Sequence, residues 1–134
     1  MMKPILFCCG CLTVLALTAS CATTKPEEAK PPKTIELRYN ASVKEGDAVI
    51  NFASVTSDSR CPTGTQCTWA GNAEIVLELT GDGNQAAILN TNPQYQQSYR
   101  YNDFILTLKE LKPHPEAGRP VELNSYIAVL TIEH

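Results

Sequence analysis

The stretch that decides the fold is AEIVLELTGDGNQAAILN, residues 73–90. Its first half places apolar side chains at every second position, namely Ala73, Ile75, Leu77 and Leu79. Strict alternation is the pattern of a β-strand with one face in a core, because successive side chains point to opposite faces. The GDGN that follows is typical of a tight turn, and QAAILN then predicts a second strand.

Shorter stretches of the same kind lie on both sides of this pair. In AVINFASV we expect Ile50 and Phe52 on one face and Val49 and Val55 on the other. The stretch FILTLKEL is the one place where a helix competes with a strand. The further candidate strands are 35–39, 48–55, 97–101, 104–111 and 125–132. We therefore expect an all-β domain over 34–134, a single antiparallel β-sandwich or barrel-like domain of about seven or eight strands.

Length and charge limit the function classes. The chain has 134 residues and a net charge of −3, enough for one modest core. Without residues 1–20, which carry only Lys3, ten Lys plus Arg face fourteen Asp plus Glu, a net charge of −4. Nucleic-acid binding draws most of its affinity from cationic side chains on phosphates. We therefore expect no nucleic-acid partner, and no motif predicts a cofactor.

The N-terminus has the layout of a secretory signal peptide. Residues 1–20 read MMKPILFCCGCLTVLALTAS, with a positive charge at Lys3, an uncharged run over 5–17 and small residues at the end. That run of about 13 residues is shorter than the roughly 20 that a membrane-spanning helix needs. We expect a signal peptide over 1–20 rather than a transmembrane anchor.

The end of that segment, LTASC at 17–21, resembles the lipobox of bacterial lipoproteins. Thr18 departs from the Leu or Val that is commoner at its position. The resemblance implies cleavage before Cys21, a diacylglycerol on the Cys21 sulfur, and anchoring to the membrane through that lipid. Because position 22 is Ala rather than Asp, the same resemblance implies, for a Gram-negative host, an outer-membrane protein facing the periplasm. We predict a lipid-anchored protein of the bacterial cell envelope.

The cysteine count agrees with this prediction. Of six Cys, cleavage removes the three in the signal segment and lipidation uses Cys21. Cys61 and Cys67 are left, and an even remainder in an exported protein favours a disulfide.

A spacer follows the predicted lipidation site. Residues 22–33, ATTKPEEAKPPK, contain three Pro, five charges and no large apolar side chain. Such a composition buries too little surface to offset the entropy of ordering it. We predict a flexible tether over 21–33, the lipidated Cys included.

Residues 58–71, DSRCPTGTQCTWAG, form the one distinctive block of the β domain. A Cys61–Cys67 bridge would close a tight loop and staple a long connection to the sheet. We expect Trp69 to pack in the core beside the small residues that follow it. The alternative is that Trp69 is an exposed binding residue.

Asp58 and Arg60, in the same block, are expected to pair with each other or with strand charges. In the alternative they join Trp69 as candidate binding residues. The block resembles a motif, DSRCPxxxxCxWAGxA, of a family of small uncharacterised bacterial envelope lipoproteins, and LKELKPHP at 108–115 fits the same family. Thr68 departs from the apolar residue commoner at its position. The resemblance covers about 50–130 and implies a small β domain and an envelope location, without a reaction.

Candidate catalytic and metal-binding groups are few. The expected mature chain has no Met and only two His, so no metal site is predicted. A zinc site of Cys61, Cys67 and His114 is the alternative in a reducing setting. A second alternative is a hydrolase-like enzyme that uses His114 with Asp58 and Arg60.

The polar loop NTNPQYQQSYRYN, residues 90–102, is a candidate binding surface. Its three tyrosines, Tyr95, Tyr99 and Tyr101, combine apolar area with a hydrogen-bonding tip, which suits contact with a glycan or a peptide. The interpretation preferred over this one is an edge strand whose tyrosines pack on the sandwich.

Three functions follow, in order of preference. The first is a non-enzymatic binding or interaction β domain on a lipid anchor, with an envelope protein or glycan as partner. The second is the small envelope enzyme, and the third is a purely structural lipoprotein.

Overall fold

Eight β-strands form the fold in a computed structural model that describes residues 28–134. The predicted signal segment, Cys21 and most of the tether lie outside the described residues. One 3₁₀ turn, Leu123–Ser125, precedes the last strand. The strands are β1 (Lys33–Arg38), β2 (Ser42–Glu45), β3 (Ala48–Asp58), β4 (Ala73–Thr80), β5 (Gln85–Asn90), β6 (Ser98–Tyr101), β7 (Phe104–Lys112) and β8 (Ile127–Glu133).

The strands are arranged in two antiparallel four-stranded sheets, in the orders β1-β8-β7-β6 and β2-β3-β4-β5. The predicted all-β class is confirmed, and of the two architectures left open the chain adopts the sandwich. FILTLKEL is a strand: Phe104, Leu106 and Leu108 are buried at alternate positions of β7. A helix would have spread these side chains around its axis instead of aligning them on one face.

The core lies between the two sheets and is built from the alternating positions of the sequence. In β4 all four apolar residues of the alternating set are fully buried, while Glu78 and Thr80 are exposed. The largest fully buried side chains are Tyr101, Phe52, Ile50, Ile75, Leu77, Leu79, Leu89, Leu106, Leu108, Leu111, Leu130 and Ile132. Each buried aliphatic side chain of this size stabilises the fold by about 1.5–3 kcal/mol relative to exposure.

Strand β3 departs from strict alternation at two irregularities. Its register against β4 shifts once between Phe52 and Ser54 and again between Val55 and Ser57. Each shift moves the following side chains to the other face of the sheet. Val55 therefore lies opposite the buried Ile75 and packs against the core, so the expectation that Val55 shares the outer face with Val49 is wrong.

The second shift matters for the end of the same strand. Asp58 lies opposite Ala73, which is fully buried, so the carboxylate turns toward the interior of the sandwich. Without the two shifts, alternation from Phe52 along β3 would place Thr56 opposite Ala73 and leave Asp58 beyond the paired part of the strand. The two extra residues that the shifts add to β3 therefore place the Asp58 side chain at the edge of the core.

The sandwich has two ends with different contents. The proximal end, defined here as the end where β1 begins, holds the short turns at 46–47, 81–84 and 102–103 and the C-terminal His134. The distal end, defined as the opposite one, holds the connections 59–72, 91–97 and 113–126. The two longest connections in the described part of the chain therefore meet at the distal end.

A buried carboxylate closes the proximal end. Glu45 is 6% exposed and accepts hydrogen bonds from Lys33 Nζ at 2.9 Å and Lys30 Nζ at 3.2 Å, with His134 Nε2 at 3.1 Å. The ordered part of the domain thus includes the last residues of the predicted tether, and β1 begins at Lys33, one residue before the expected boundary. Hydrogen bonds from Lys33 above all, then from His134 and Lys30, outweigh the effect of burial and lower the pKa of Glu45 to about 2.

Replacing this carboxylate tests the proximal cluster. Glu45→Gln should lower the free energy of unfolding at pH 7 by about 1–2 kcal/mol, after allowance for screening by solvent. A pKa that is lowered in the folded state gives stabilisation that is complete above the ordinary value of 4.5 and is lost as the pH falls toward 2. Urea denaturation followed by circular dichroism should therefore show the difference between wild type and variant shrinking over this range.

The matched control is Glu36→Gln, because Glu36 pairs with Lys112 at 2.8 Å on the surface, where both side chains are largely exposed. Its effect at pH 7 should be smaller than that of Glu45→Gln. A Glu45→Gln difference that stays constant from pH 7 to pH 2 would contradict the ionic role of Glu45.

Candidate functional site

A charged clamp joins the two sheets at the distal end. Arg60 donates from Nε to Asp58 Oδ1 at 2.8 Å and from an Nη to Asp58 Oδ2 at 2.6 Å. The same guanidinium donates to the carbonyl oxygens of Leu111 and, at 2.9 Å, Pro113, which belong to the other sheet and its connection. Tyr126, just before β8, donates its hydroxyl to Asp58 Oδ2 at 2.8 Å. We call Asp58, Arg60 and Tyr126 the Arg60 clamp.

The charged side chains of the Arg60 clamp are largely buried. The side chains of Asp58 and Arg60 are 10% and 9% exposed. Burial raises the pKa of Asp58, but the hydrogen bonds from Arg60 and Tyr126 outweigh it, so the pKa lies below its ordinary value. Burial first, and then the bond to Asp58, raises the pKa of Tyr126 to about 12. Asp58 is thus held ionised and Tyr126 protonated, and the expected pairing of Asp58 with Arg60 is confirmed.

The two long connections also bond to each other. Thr63 donates its backbone N–H to Pro115 O at 2.9 Å, and Ala117 donates its N–H to Thr63 O at 3.1 Å. His114 Nε2 lies 2.7 Å from Cys61 O. The connection after β3 is therefore fastened to the connection after β7 along several residues.

A disulfide joins Cys61 to Cys67, as predicted. The closed loop is short, so the bridge contributes about 2 kcal/mol by restricting the unfolded chain. Both sulfurs are used in the bridge in this structure, so neither is free to ligate a metal together with His114. In residues 28–134 there is no group of three or more His, Cys, Asp or Glu side chains placed to hold a metal ion.

After the disulfide, the chain returns close to Ser59 at Gly71, a position that only glycine fits. A Cβ at Gly71 would lie 1.7 Å from Ser59 O, far inside contact distance. This close approach lets Ser59 donate its N–H to Asn72 O at 2.7 Å. The two ends of the block 59–72 are thereby held together at the root of β3 and β4.

Three asparagine side chains hold this connection against the one between β5 and β6. Asn72 Nδ2 donates to Asn90 Oδ1 at 2.7 Å, and the N–H of Asn92 donates to Asn72 Oδ1 at 3.1 Å. Asn92 Nδ2 donates to the carbonyl oxygens of Ala70 at 3.2 Å and Gly71 at 3.3 Å. Asn90 and Asn92 are 5% and 9% exposed. Sequence reasoning did not assign these amides, although two of them open the polar loop that it selected.

Two aromatic side chains project from these fastened connections. Trp69 is 71% exposed and Tyr95 is 56% exposed. Trp69 immediately precedes Ala70, which accepts from Asn92, and Tyr95 donates its N–H to Asn92 O at 3.0 Å. Both aromatic residues therefore flank Asn92, and we call Trp69 and Tyr95 the distal aromatic pair.

The exposure of Trp69 overturns the expectation of a core anchor. The residues on both sides of it, from Thr63 to Ala70, are exposed as well. The connection is attached to the domain by the Arg60 clamp, the disulfide, Gly71 and the asparagines, and none of these contacts needs the indole ring. Of the two alternatives, the structure agrees with the one in which Trp69 is exposed; its use in binding stays a prediction.

The other two candidate tyrosines lie elsewhere. Tyr101 is 1% exposed, packs against Phe104 and donates its hydroxyl to Gly83 O at 3.0 Å at the proximal end. Its selection as a binding residue is therefore wrong. Tyr99 is half-buried and donates its hydroxyl to Gln85 Oε1 at 2.7 Å. The hydroxyls of Tyr99 and Tyr101 both reach from β6 to the β4–β5 hairpin, where they join the edges of the two sheets.

The catalytic alternative lacks its geometry. Asp58 and Arg60 are bonded to each other within the clamp. Among the described residues, the hydrogen bond of His114 is to Cys61 O, and no carboxylate forms an ion pair with its ring. A groove of about 520 Å³ is lined by Asp58 and Tyr126, whereas His114 lines a second depression that shares Glu116 and Arg119 with it but not Asp58. The three candidate residues do not face one common cleft.

Within residues 28–134 no helix is long and apolar enough to cross a membrane. Comparisons of the chain with protein-family models, with curated proteins and with solved structures gave no match.

The Arg60 clamp predicts a ranked set of stability losses. Arg60→Met should cost about 3–4 kcal/mol, because it leaves the Asp58 carboxylate buried and unpaired and removes the donor to two carbonyl oxygens. Tyr126→Phe removes one hydrogen bond and should cost about 1–2 kcal/mol. Both losses are measurable by urea denaturation at pH 7.

Arg119→Met is the matched control, since Arg119 is exposed and pairs with Glu116 across three residues of the same connection. Its cost should stay within about 0.5 kcal/mol. Equal losses for Arg60→Met and Arg119→Met would show that the clamp does not hold the sheets.

The exposure of Trp69 has a direct optical test, because it is the only Trp of the chain. The fluorescence of the folded protein should resemble that of an indole in water, and iodide should quench it readily. Trp69→Ala should change the free energy of unfolding by no more than about 0.5 kcal/mol, against about 3–5 kcal/mol for a core Trp. Blue-shifted emission protected from iodide would contradict the exposed position.

Proposed function

We propose that this chain is a lipid-anchored cell-envelope protein whose β domain is a non-enzymatic binding module. The observation that carries the proposal is the distal aromatic pair. Two large aromatic side chains stand exposed on connections whose backbones are fixed by a disulfide, a buried salt bridge and buried amides. Ordering the backbone before a partner arrives lowers the entropic cost of binding.

The direction of the chain supports the anchoring half of this proposal. The predicted lipid on Cys21 precedes β1, and β1 begins at the proximal end, beside Lys30 and Glu45. The distal aromatic pair lies at the other end of strands of about eight residues, roughly 25 Å away. An extended chain spans at most about 3.3 Å per residue, so residues 22–29 would add up to about 25 Å. An anchored domain would thus present Trp69 and Tyr95 away from the membrane.

The polar groups of the distal end favour binding over catalysis. Asp58, Arg60 and Tyr126 complete one another's hydrogen bonds at the edge of the core, and a general acid or base must instead have an uncommitted proton site facing its substrate. The same contacts leave the aromatic side chains as the conspicuous exposed groups of the connections. The resemblance to small envelope lipoproteins is in keeping with this assignment.

Crosslinking in the living host tests both halves of the proposal. The full chain with a photoreactive phenylalanine at position 95 should sediment with membranes and form a covalent adduct on illumination. Cys21→Ser should move the same chain to the soluble fraction, because the predicted lipid acceptor is gone.

Two matched controls accompany this experiment. The photoreactive residue at position 99, where the native Tyr is half-buried, should give no adduct, and Cys11→Ser should leave the chain with the membranes. A Cys21→Ser chain that stays membrane-bound would refute the anchor. The absence of an adduct at position 95, or an equal one at position 99, would refute binding through the distal aromatic pair.

A further inference from the structure

We propose that the distal aromatic pair binds a neutral oligosaccharide, an inference that rests on the binding function proposed above. Trp69 and Tyr95 would supply flat apolar faces for sugar rings, and neighbouring amides and hydroxyls would bond to the sugar hydroxyls. The partner class follows from the charge, the exposed polar groups and the rigidity of this surface.

The first observation is the absence of charge in the sequence on either side of Trp69 and of Tyr95. The sequence contains no Asp, Glu, Lys, Arg or His in residues 61–73 or in residues 84–99. The charges that flank residues 61–73 are engaged: Arg60 with Asp58, and Glu74 with the hydroxyl of Thr56 at 2.6 Å. The charges that flank residues 84–99 lie outside the β5–β6 connection, Asp82 in the proximal turn and Arg100 on β6. An anionic polymer or a charged peptide binds through complementary charges. Residues 61–73 and 84–99 offer none, and Glu116 and Arg119 pair with each other in the connection 113–126, which bonds to Thr63. The distal aromatic pair therefore favours an uncharged ligand.

The second observation is the kind of polar group that neighbours Trp69 and Tyr95 in the sequence. Gln66, Thr68, Gln94 and Gln96 are exposed. Each glutamine amide both donates and accepts, and a threonine hydroxyl does the same. The side chains of Gln66, Gln94 and Gln96 make no hydrogen bond to another described residue, so their capacity is free for a ligand. A sugar hydroxyl likewise donates and accepts, which makes a polyol the complement of this surface.

The third observation concerns the rings. A pyranose has an apolar face of C–H groups and a rim of hydroxyls, and the face of an aromatic ring is electron-rich and apolar. Stacking the two buries apolar area without breaking the hydrogen bonds of the rim. The apolar ring faces of Trp69 and Tyr95 would contact the C–H face of the sugar, and the neighbouring amides would bond to its hydroxyl rim. Protein partners, in contrast, bind aromatic anchors that lie within a larger apolar patch. Trp69 and Tyr95 are surrounded in sequence by Thr, Gln, Asn and small residues.

The fourth observation is the spacing that the backbone imposes. Because Ala70 O and Tyr95 N both bond to Asn92, chain geometry keeps the Cα atoms of Trp69 and Tyr95 within about 20 Å of each other. One extended oligosaccharide can therefore contact both rings, and a monosaccharide contacts only one. We expect affinity to rise with chain length.

The test is a titration of the intact lipoprotein in micelles of a polyoxyethylene detergent, whose head group contains no sugar. The neutral probes are a hexamer of β-1,4-linked N-acetylglucosamine and a hexamer of β-1,4-linked glucose, each with its monosaccharide; polygalacturonate is the anionic comparison. At least one hexamer should change the fluorescence of Trp69 and protect it from iodide. Tyr95→Ala should weaken binding roughly tenfold by calorimetry.

Leu123→Ala is the matched control, because Leu123 is a 46% exposed apolar residue at the distal end but on the β7–β8 connection. It should leave the affinity unchanged. Tighter binding of polygalacturonate than of both hexamers, or equal losses from Tyr95→Ala and Leu123→Ala, would overturn the inference.

The remaining outcomes separate this inference from the binding function itself. If neither hexamer binds while the crosslink at position 95 gives an adduct that a protease degrades, the partner is a protein, and the oligosaccharide proposal fails while the binding function stands. If neither hexamer binds and position 95 gives no adduct, both proposals fail.

Discussion

The structure depends on how the distal end of the sandwich is closed. Two sheets that face each other across a core leave their ends open, and here one end must be covered by two long connections with few apolar residues. The Arg60 guanidinium holds these connections to both sheets, because a planar group with five donors can bond to a carboxylate and to carbonyl oxygens at once. It binds Asp58 of one sheet, the backbone of Leu111 in the other sheet, and the backbone of Pro113 in the connection that follows. The positive charge of Arg60 and the negative charge of Asp58 neutralise each other in this contact. Tyr126 adds a further hydrogen bond to the Asp58 carboxylate.

The contacts that close the distal end leave the side chains of Trp69 and Tyr95 on the surface of the same connections. The backbone from Cys61 to Gly71 is held at both ends, by the clamp and disulfide on one side and by the asparagine amides on the other. None of these contacts uses the side chains of Trp69 or Tyr95. Both rings can therefore stay exposed while the contacts that hold the connections are kept. The most conspicuous block of the sequence therefore has two functions: its charged residues hold the domain together, and its aromatic residue is displayed. The separation explains why a catalytic interpretation of Asp58 and Arg60 finds no support in their surroundings.

Much of the fold could be predicted from residue patterns, and the errors occur where alternation is interrupted. Seven or eight antiparallel strands follow from period-two hydrophobicity, as in β4, where every second side chain is buried. Val55 was assigned to the wrong face because a bulge adds a residue without any mark in the local composition. In the candidate site, the Cys61–Cys67 pair and the Asp58–Arg60 pair could be predicted because the partners are close in sequence. Trp69 and Tyr101 could not, because both were assigned by residue type, and the exposure of an aromatic side chain depends on what distant strands place against it.

The sequence by itself determined the local features of this protein. These are the alternation of the strands, the turns between them, the cysteine pair, and the uncharged character of residues 61–73 and 84–99. Each is a property of neighbouring residues, and short-range sterics and hydrophobic periodicity are sufficient to specify it. Only the tertiary structure decided that Asp58 turns inward, that Tyr126 reaches it across 68 residues, and that Asn92 joins the loops of Trp69 and Tyr95. These contacts arise where the ends of separate strands meet, and the positions of those ends are set by the register of whole sheets rather than by any local pattern.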